Sequence, residues 1–146
     1  NVPFADLQEA AIKQLKAGET VWVGNDVLQQ MDRKRGLMDA KLFHREELLG
    51  VDFAMDKKDR LESRQAMVSH AMTLTGFDLV NDQPTRWKIE NSWGKDNGDN
   101  GYFVMTQDWF EEYTYEAVIN KKYLSKDLQD LAAQQPIELT AWDSLQ

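Results

Sequence analysis

The chain has 146 residues, 42% of them hydrophobic and 10% aromatic, which is enough for one domain with a proper core and leaves little room for a second. Its formal net charge is −8 and its pI is near 4.7, so it lacks the basic surface that nucleic acid or an anionic bilayer requires. It contains no cysteine, which removes disulfides, thiolate metal sites and a thiol nucleophile from these residues and fits a reducing compartment.

No apolar run approaches the length of a membrane span. The opening segment has early acidic residues and no continuous apolar stretch, so it does not read as a secretory signal. It starts with Asn1 rather than Met, which points to a chain cut from something longer.

In chain order the pattern predicts mixed α and β without repeats. "ADLQEAAIKQLKAGE" places Leu7, Ala10, Ala11 and Leu15 at helical spacing and closes with Gly18, predicting a helix over about 5–17. "TVWVG" reads as a short strand, and "NDVLQQMDRKRG" as a second helix, capped by Asn25 or Asp26 and stopped by Gly36. Residues 37–65 are charge-rich and irregular, a long surface excursion with one helical turn in "HREELLG". From Ala66 the pattern turns to strands: "AMVSHAMTLTGFDLV", "TRWKIENSWG", "GYFVMT" and "YTYEAVIN", joined by "NDQP" and "KDNGDNG". "QDWFEEY" is a short helix, and "SKDLQDLAAQQP" is a Ser-capped helix stopped by Pro136. The expected fold class is α+β, with helices around an antiparallel sheet.

Within the first long strand, alternation puts His70, Met72 and Leu74 on one face and Ser69, Ala71 and Thr73 on the other. In the next, Trp87, Ile89 and Asn91 share a face that the apolar residues mark as inward. An inward His and an inward Asn on neighbouring strands can meet across a hairpin, and Trp93 stands close enough to cover the contact. A base imidazole needs one nitrogen free for its nucleophile and an acceptor on the other to fix tautomer and ring angle. An Asn amide oxygen does this without adding charge, which suits a thiolate–imidazolium pair. The residues alone leave two readings open, this one and a core histidine with satisfied nitrogens.

"SHAMTLTG", "WKIENSWG" and "GYFVM" resemble the second half of a papain-like cysteine peptidase. With "VWVGNDV", "GVDFAMDKKDRLES", "QDWFEEYTYE" and "QPIELTAWDSL", the series resembles the bleomycin hydrolase and bacterial aminopeptidase C family over nearly the whole chain. The resemblance implies a papain-like lobe, an antiparallel sheet or half-barrel with flanking helices. His70 would be the catalytic base, Asn91 its orienting partner and Trp93 the shield over their bond, and the backbone at Ser69 would sit beside the scissile residue. It implies a cytoplasmic thiol aminopeptidase of peptide substrates, assembled as a homohexamer, with no cofactor and a C-terminal arm, residues 136–146, reaching into the cleft.

The family's nucleophilic Cys and oxyanion-hole Gln lie in its first lobe, where papain-like Cys residues precede the His by roughly 130 residues. Only 69 residues precede His70 here. The expectation is therefore a single domain over 1–146, the C-terminal lobe, inactive without its Cys-bearing N-terminal partner lobe. A binding or assembly module that keeps the fold without catalysis is the alternative. Two departures stand out: a "GCD"-like family stretch appears here as "VGND", with Asn25, and the chain stops at "AWDSLQ".

Other motifs carry less. "DNGDNG" reads as a turn, because a calcium loop would need ligands where Gly98 and Gln107 stand. His44 reads as a helix-start or surface residue, and Ser92 lacks the Gly-flanked elbow of a serine hydrolase.

Overall fold

Residues 1–143 are described by the computed structural model of the chain. Helix α1 (Phe4–Lys16) forms over the predicted span because Ala10, Ala11 and Gln14 share its buried face, and Gly18 ends the run at φ +82°. Gln14 earns its burial by two bonds: its Nε2 donates to the Thr20 carbonyl at 2.7 Å, and its Oε1 accepts from Asn120 N–H at 2.8 Å.

Strand β1 (Val21–Asn25) follows, and the next segment departs from the expectation. Residues 25–36 form no helix; instead β2 (Met31–Asp32) and β3 (Leu37–Met38) make a hairpin over 31–38. Asn25 is not free to cap anything: it ends β1, fully buried, with Nδ2 donating to Thr114 Oγ1 at 2.7 Å. Gln30 sits at φ +46°, and the Asp32 carboxylate accepts from Arg35 N–H at 3.0 Å, a side-chain turn that competes with helix. Gly36 closes the hairpin at φ +69°.

The excursion carries α2 (Arg45–Leu49) and α3 (Lys57–Glu62). Beyond it come β4 (His70–Val80), β5 (Gln83–Glu90), β6 (Tyr102–Thr106), α4 (Gln107–Tyr113), β7 (Thr114–Val118) and α5 (Lys126–Ala132). Thr106 and Ser125 cap α4 and α5 by accepting from Trp109 and Leu128 N–H. Among the described residues the strands make one sheet in the order β2-β3-β6-β5-β4-β1-β7. The sheet is mixed, not purely antiparallel as expected: β3 runs parallel to β6, a consequence of the unforeseen hairpin. It forms a half-barrel with flanking helices, an α+β fold.

The core lies where β1, β4, β5 and β6 turn Val21, Val23, Met72, Leu74, Trp87, Ile89, Phe103 and Met105 toward α4, which supplies Trp109 and Phe110. Trp87 stacks tilted on Phe110 at 4.3 Å, and Phe4 of α1 meets Phe110 edge-on at 5.3 Å. A register shift between Leu74 and Gly76 advances β4 by one place, so Phe77, not Gly76, follows Leu74 toward the core and pairs with Trp87.

Two cations staple the excursion to this body. Lys57 Nζ donates to the carbonyls of Glu111 (2.7 Å) and Thr114 (2.5 Å), and Arg60 Nη2 meets the Glu112 carboxylate at 2.6 Å. Between excursion and body lies an open cavity of about 790 Å³, bordered by Asp26, Gln30, His44, Phe53, Arg60 and Tyr113. Burial lowers the Lys57 ammonium to about 8, against the opposing pull of Glu112. The unfolded chain therefore holds more protons than the folded one between about pH 8 and 10.5, and stability from this group rises with pH across that window. Below it both states are charged and the folded state bears the full burial cost. Measured by urea unfolding at pH 7.5 and 10, the stability difference between wild type and Lys57→Met should move in favour of wild type at the higher pH; a constant difference would contradict the assignment.

Candidate active site

The start of β4 and the end of β5 place the two polar residues of the inward face together. His70 opens β4 opposite Asn25 of β1, while Asn91 follows the last residue of β5, its N–H donating to the Gly101 carbonyl at 3.0 Å. Below them on the same faces Met72, Leu74, Trp87 and Ile89 are buried, so the sheet's own alternation turns both side chains inward. His70 Nε2 and Asn91 Oδ1 are 2.9 Å apart. A carbonyl oxygen can only accept, so Nε2 carries the hydrogen and the neutral ring keeps its lone pair on Nδ1. Asn91 is 7% exposed; its Nδ2 has no partner among the described residues.

Trp93 lies flat against the imidazole, with ring centroids 5.0 Å apart and planes 27° from parallel. Phe103 supports the indole from its edge at 5.9 Å. His70, Asn91 and Trp93 thus form one cluster. Ser69 does not join it: its Oγ turns to the other face, accepts from Val27 N–H at 3.1 Å and lies 3.3 Å from the Asn25 carbonyl oxygen and 3.5 Å from the Asp26 carboxylate. It ties the entry of β4 to the exit of β1. Burial pushes the Asp26 carboxyl above its usual range, with the Gln29 and Ser69 hydrogen bonds opposing.

Two residues that no spacing singled out border Trp93. Arg33, on the β2–β3 turn, has its guanidinium over the indole at 4.5 Å, and Asn97 donates from Nδ2 to the Trp93 carbonyl at 2.6 Å. Arg33 reaches the indole from a segment far away in the chain, which leaves no local pattern, whereas Asn97 bonds within the Trp93 loop itself, four residues on.

His44 stands away from the cluster, exposed, at φ +45°, with Nδ1 3.3 Å from Glu47 Oε1. The "DNGDNG" segment is a turn, bridged from Asp99 to Tyr102. Among the described residues no group of three or more His, Asp or Glu could hold a metal ion, and no helix is long and apolar enough to cross a membrane. Chemically, the cluster offers an imidazole with one nitrogen bonded to an amide oxygen, the other available, and an indole stacked on its ring. The 146 residues include no cysteine, so the chain itself places no thiol beside the imidazole.

Residues 1–146 match the Peptidase C1-like family. Aminopeptidase G of Lactobacillus delbrueckii subsp. lactis is 52% identical over 145 residues, which cover 99% of this chain and 33% of that protein. Aminopeptidase E of Lactobacillus helveticus is similar to the same degree and over the same share of both chains. The crystal structure of PepW from Lactobacillus rhamnosis superposes with a TM-score of 0.94 at 45% identity, over 99% of this chain and 33% of that one. The chain spans about a third of the length of these relatives.

The loop that carries Trp93 turns through Gly94, Gly98 and Gly101, all at positive φ. Gly98 is the tightest: a Cβ there would collide with the Tyr102 carbonyl oxygen and come within 3.1 Å of the Phe103 ring that backs the indole. Gly98→Ala should cost about 2 kcal/mol of stability, from the left-handed backbone and the overpacking together. It should also shift the Trp93 indole resonance. A urea midpoint and Trp93 signal equal to wild type would show that the loop tolerates the methyl group.

Proposed function

We propose, for a chain that belongs to the Peptidase C1-like family, that it is the His- and Asn-bearing lobe of a cysteine aminopeptidase acting on peptide substrates. The observation that carries the reading is the His70 Nε2–Asn91 Oδ1 contact of 2.9 Å, with Nδ1 left available and Trp93 over the ring. The names of the relatives, aminopeptidases G and E, favour the same class. The thiol is contributed by residues outside this chain, as a first lobe would supply it.

In this mechanism the imidazole takes the thiol proton at Nδ1, giving a thiolate–imidazolium pair. The thiolate attacks the scissile carbonyl, and the imidazolium returns the proton to the leaving amine as the C–N bond breaks. Water then attacks the thioester, its proton going to Nδ1, and the free acid leaves as the thiol is restored. Asn91 keeps the hydrogen on Nε2 throughout, and Trp93 keeps solvent from competing for it. Ser69 contributes through its backbone, beside the scissile residue.

On the same resemblance the whole protein is bleomycin hydrolase-like, cytoplasmic and hexameric, and residues 136–146 are its arm. The described part of that arm runs exposed after α5, and Arg64 Nη2 donates to the Trp142 carbonyl at 2.7 Å, holding it beside the segment that leads into His70. Residues 144–146 lie outside the described residues. An arm that brought a carboxylate into the cleft would pair it with a substrate's free α-ammonium, a charge-assisted contact that blocked peptides cannot make.

In a full-length protein carrying this chain, His70→Ala should lower kcat by about 10²–10⁴-fold on aminoacyl reporter substrates, with Asn91→Ala lowering it less. Turnover unaffected by His70→Ala would favour a binding or assembly module. Truncation after Trp142 should narrow the preference for a free-amine peptide over its acetylated form; an unchanged ratio would leave the arm as a structural strap.

A further inference from the structure

Trp93 touches the imidazole, so whatever holds the indole acts on His70 through it. Arg33 holds it from the β2–β3 turn. Its guanidinium carbon lies 4.5 Å from the indole centroid, and its Nε donates to Asn97 Oδ1 at 2.7 Å, 64 residues further along the chain. Asn97 in turn donates to the Trp93 carbonyl oxygen at 2.6 Å, so ring and backbone of the same residue are gripped together.

The backbone repeats the link. Gly98 N–H donates to the Arg33 carbonyl at 3.2 Å, and Gly36, which closes the turn, lies so close that a Cβ there would stand 2.7 Å from Gly98 Cα. Only glycines allow the two loops to approach this far.

Arg33 has an unusual set of partners for an exposed cation on a chain of net charge −8. Its neighbour Arg35 pairs with Asp32 at 3.0 Å, whereas among the described residues no carboxylate lies within ion-pair distance of Arg33. Its Nε bonds to an amide, and its planar charge lies against an aromatic ring, the arrangement in which a guanidinium is attracted by the ring quadrupole.

We infer that Arg33 is a positioning residue for the His70–Asn91 pair: with Asn97 it clamps Trp93 flat on the imidazole and so keeps water off the Nε2–H bond. The inference rests on the reading of His70 as the base, but the clamp has a consequence that does not need turnover. The His70 Nε2 hydrogen should exchange with solvent slowly because the indole covers it, and loosening the indole should expose it.

The test is NMR of the ¹⁵N-labelled chain at low temperature, following the His70 ring N–H alongside the backbone amides of β4 and β5. Arg33→Ala should speed exchange of the ring hydrogen about tenfold, the loss expected for one cation–π contact and one charge-assisted hydrogen bond at an exposed site. Arg33→Lys, which keeps a charge near the ring but loses the Nε donor, should fall between. The β4 and β5 amides should not change. An unchanged ring hydrogen in Arg33→Ala, or one accelerated only in step with those amides, would overturn the clamp.

In the full-length protein Arg33→Ala should lower kcat with little effect on KM, and a fall in KM-dependent binding alone would count against positioning. The two readings fail separately. If His70→Ala leaves turnover intact, the catalytic assignment falls while the exchange experiment still decides the clamp. If His70→Ala abolishes turnover but the ring hydrogen ignores Arg33, only the clamp falls.

Discussion

Strand β4 is paired on both sides, with β1 through Val21↔Leu74 to Asn25↔His70 and with β5 through Thr73↔Glu90 to Val80↔Gln83, and its register is what the site depends on. A slip of one residue would turn His70 to the opposite face and take Met72 and Leu74 with it. Each of those apolar side chains contributes about 1.5–3 kcal/mol by being buried. The orientation of a polar ring is thereby secured by hydrophobic neighbours that have no chemistry of their own. Asn91 depends on the same logic through Trp87 and Ile89, which share its face and are almost wholly buried.

This dependence explains what could be read from the sequence. Alternation is a local property, so the inward faces of His70 to Leu74 and of Trp87 to Asn91 can be read from residue order, while the shift at Gly76 that brings Phe77 to Trp87 cannot. Helix α1 and the Ser125-capped α5 were legible for the same reason: periodicity and caps are local signals. The β2–β3 hairpin was not. Its strands have two residues each, too few for any period, and Asn25, Asp26 and Gly36 imitate helix boundaries. What decides against the helix is distant: Thr114 takes the Asn25 side chain, and Trp109 Nε1 donates to the Gln29 carbonyl at 2.7 Å. The parallel β3–β6 pairing and the position of Arg33 over Trp93 descend from that hairpin and were hidden with it.

The excursion follows a different principle. Its helices α2 and α3 bury no residue, so packing does not hold them to the body. Lys57 and Arg60 do, by giving charged donors to carbonyls and a carboxylate at the C-terminal end of α4, where the helix dipole also favours a cation. Half-burying a cation is costly, and the lowered Lys57 ammonium is the sign of that cost. Their contribution is therefore placement rather than net stability. They set one position for a segment whose apolar side chains, Phe43, Leu48, Leu49, Val51 and Phe53, stay exposed, and that segment leads directly into Ser69 and His70.

The identity of the orienting partner is the last constraint. A carboxylate in the place of Asn91 would stabilise the imidazolium more strongly but, at 7% exposure, would carry the cost of a buried charge whenever the ring is neutral. An amide accepts the same hydrogen bond while remaining neutral, so it can be buried under an indole without penalty beyond its own unmatched Nδ2. The consequence is that the imidazole must find its charge balance on the Nδ1 side, in whatever group faces it. On the proposed reading, a neutral partner on Nε2 leaves the imidazolium's charge to be balanced from the Nδ1 side, where the thiolate of the first lobe would stand.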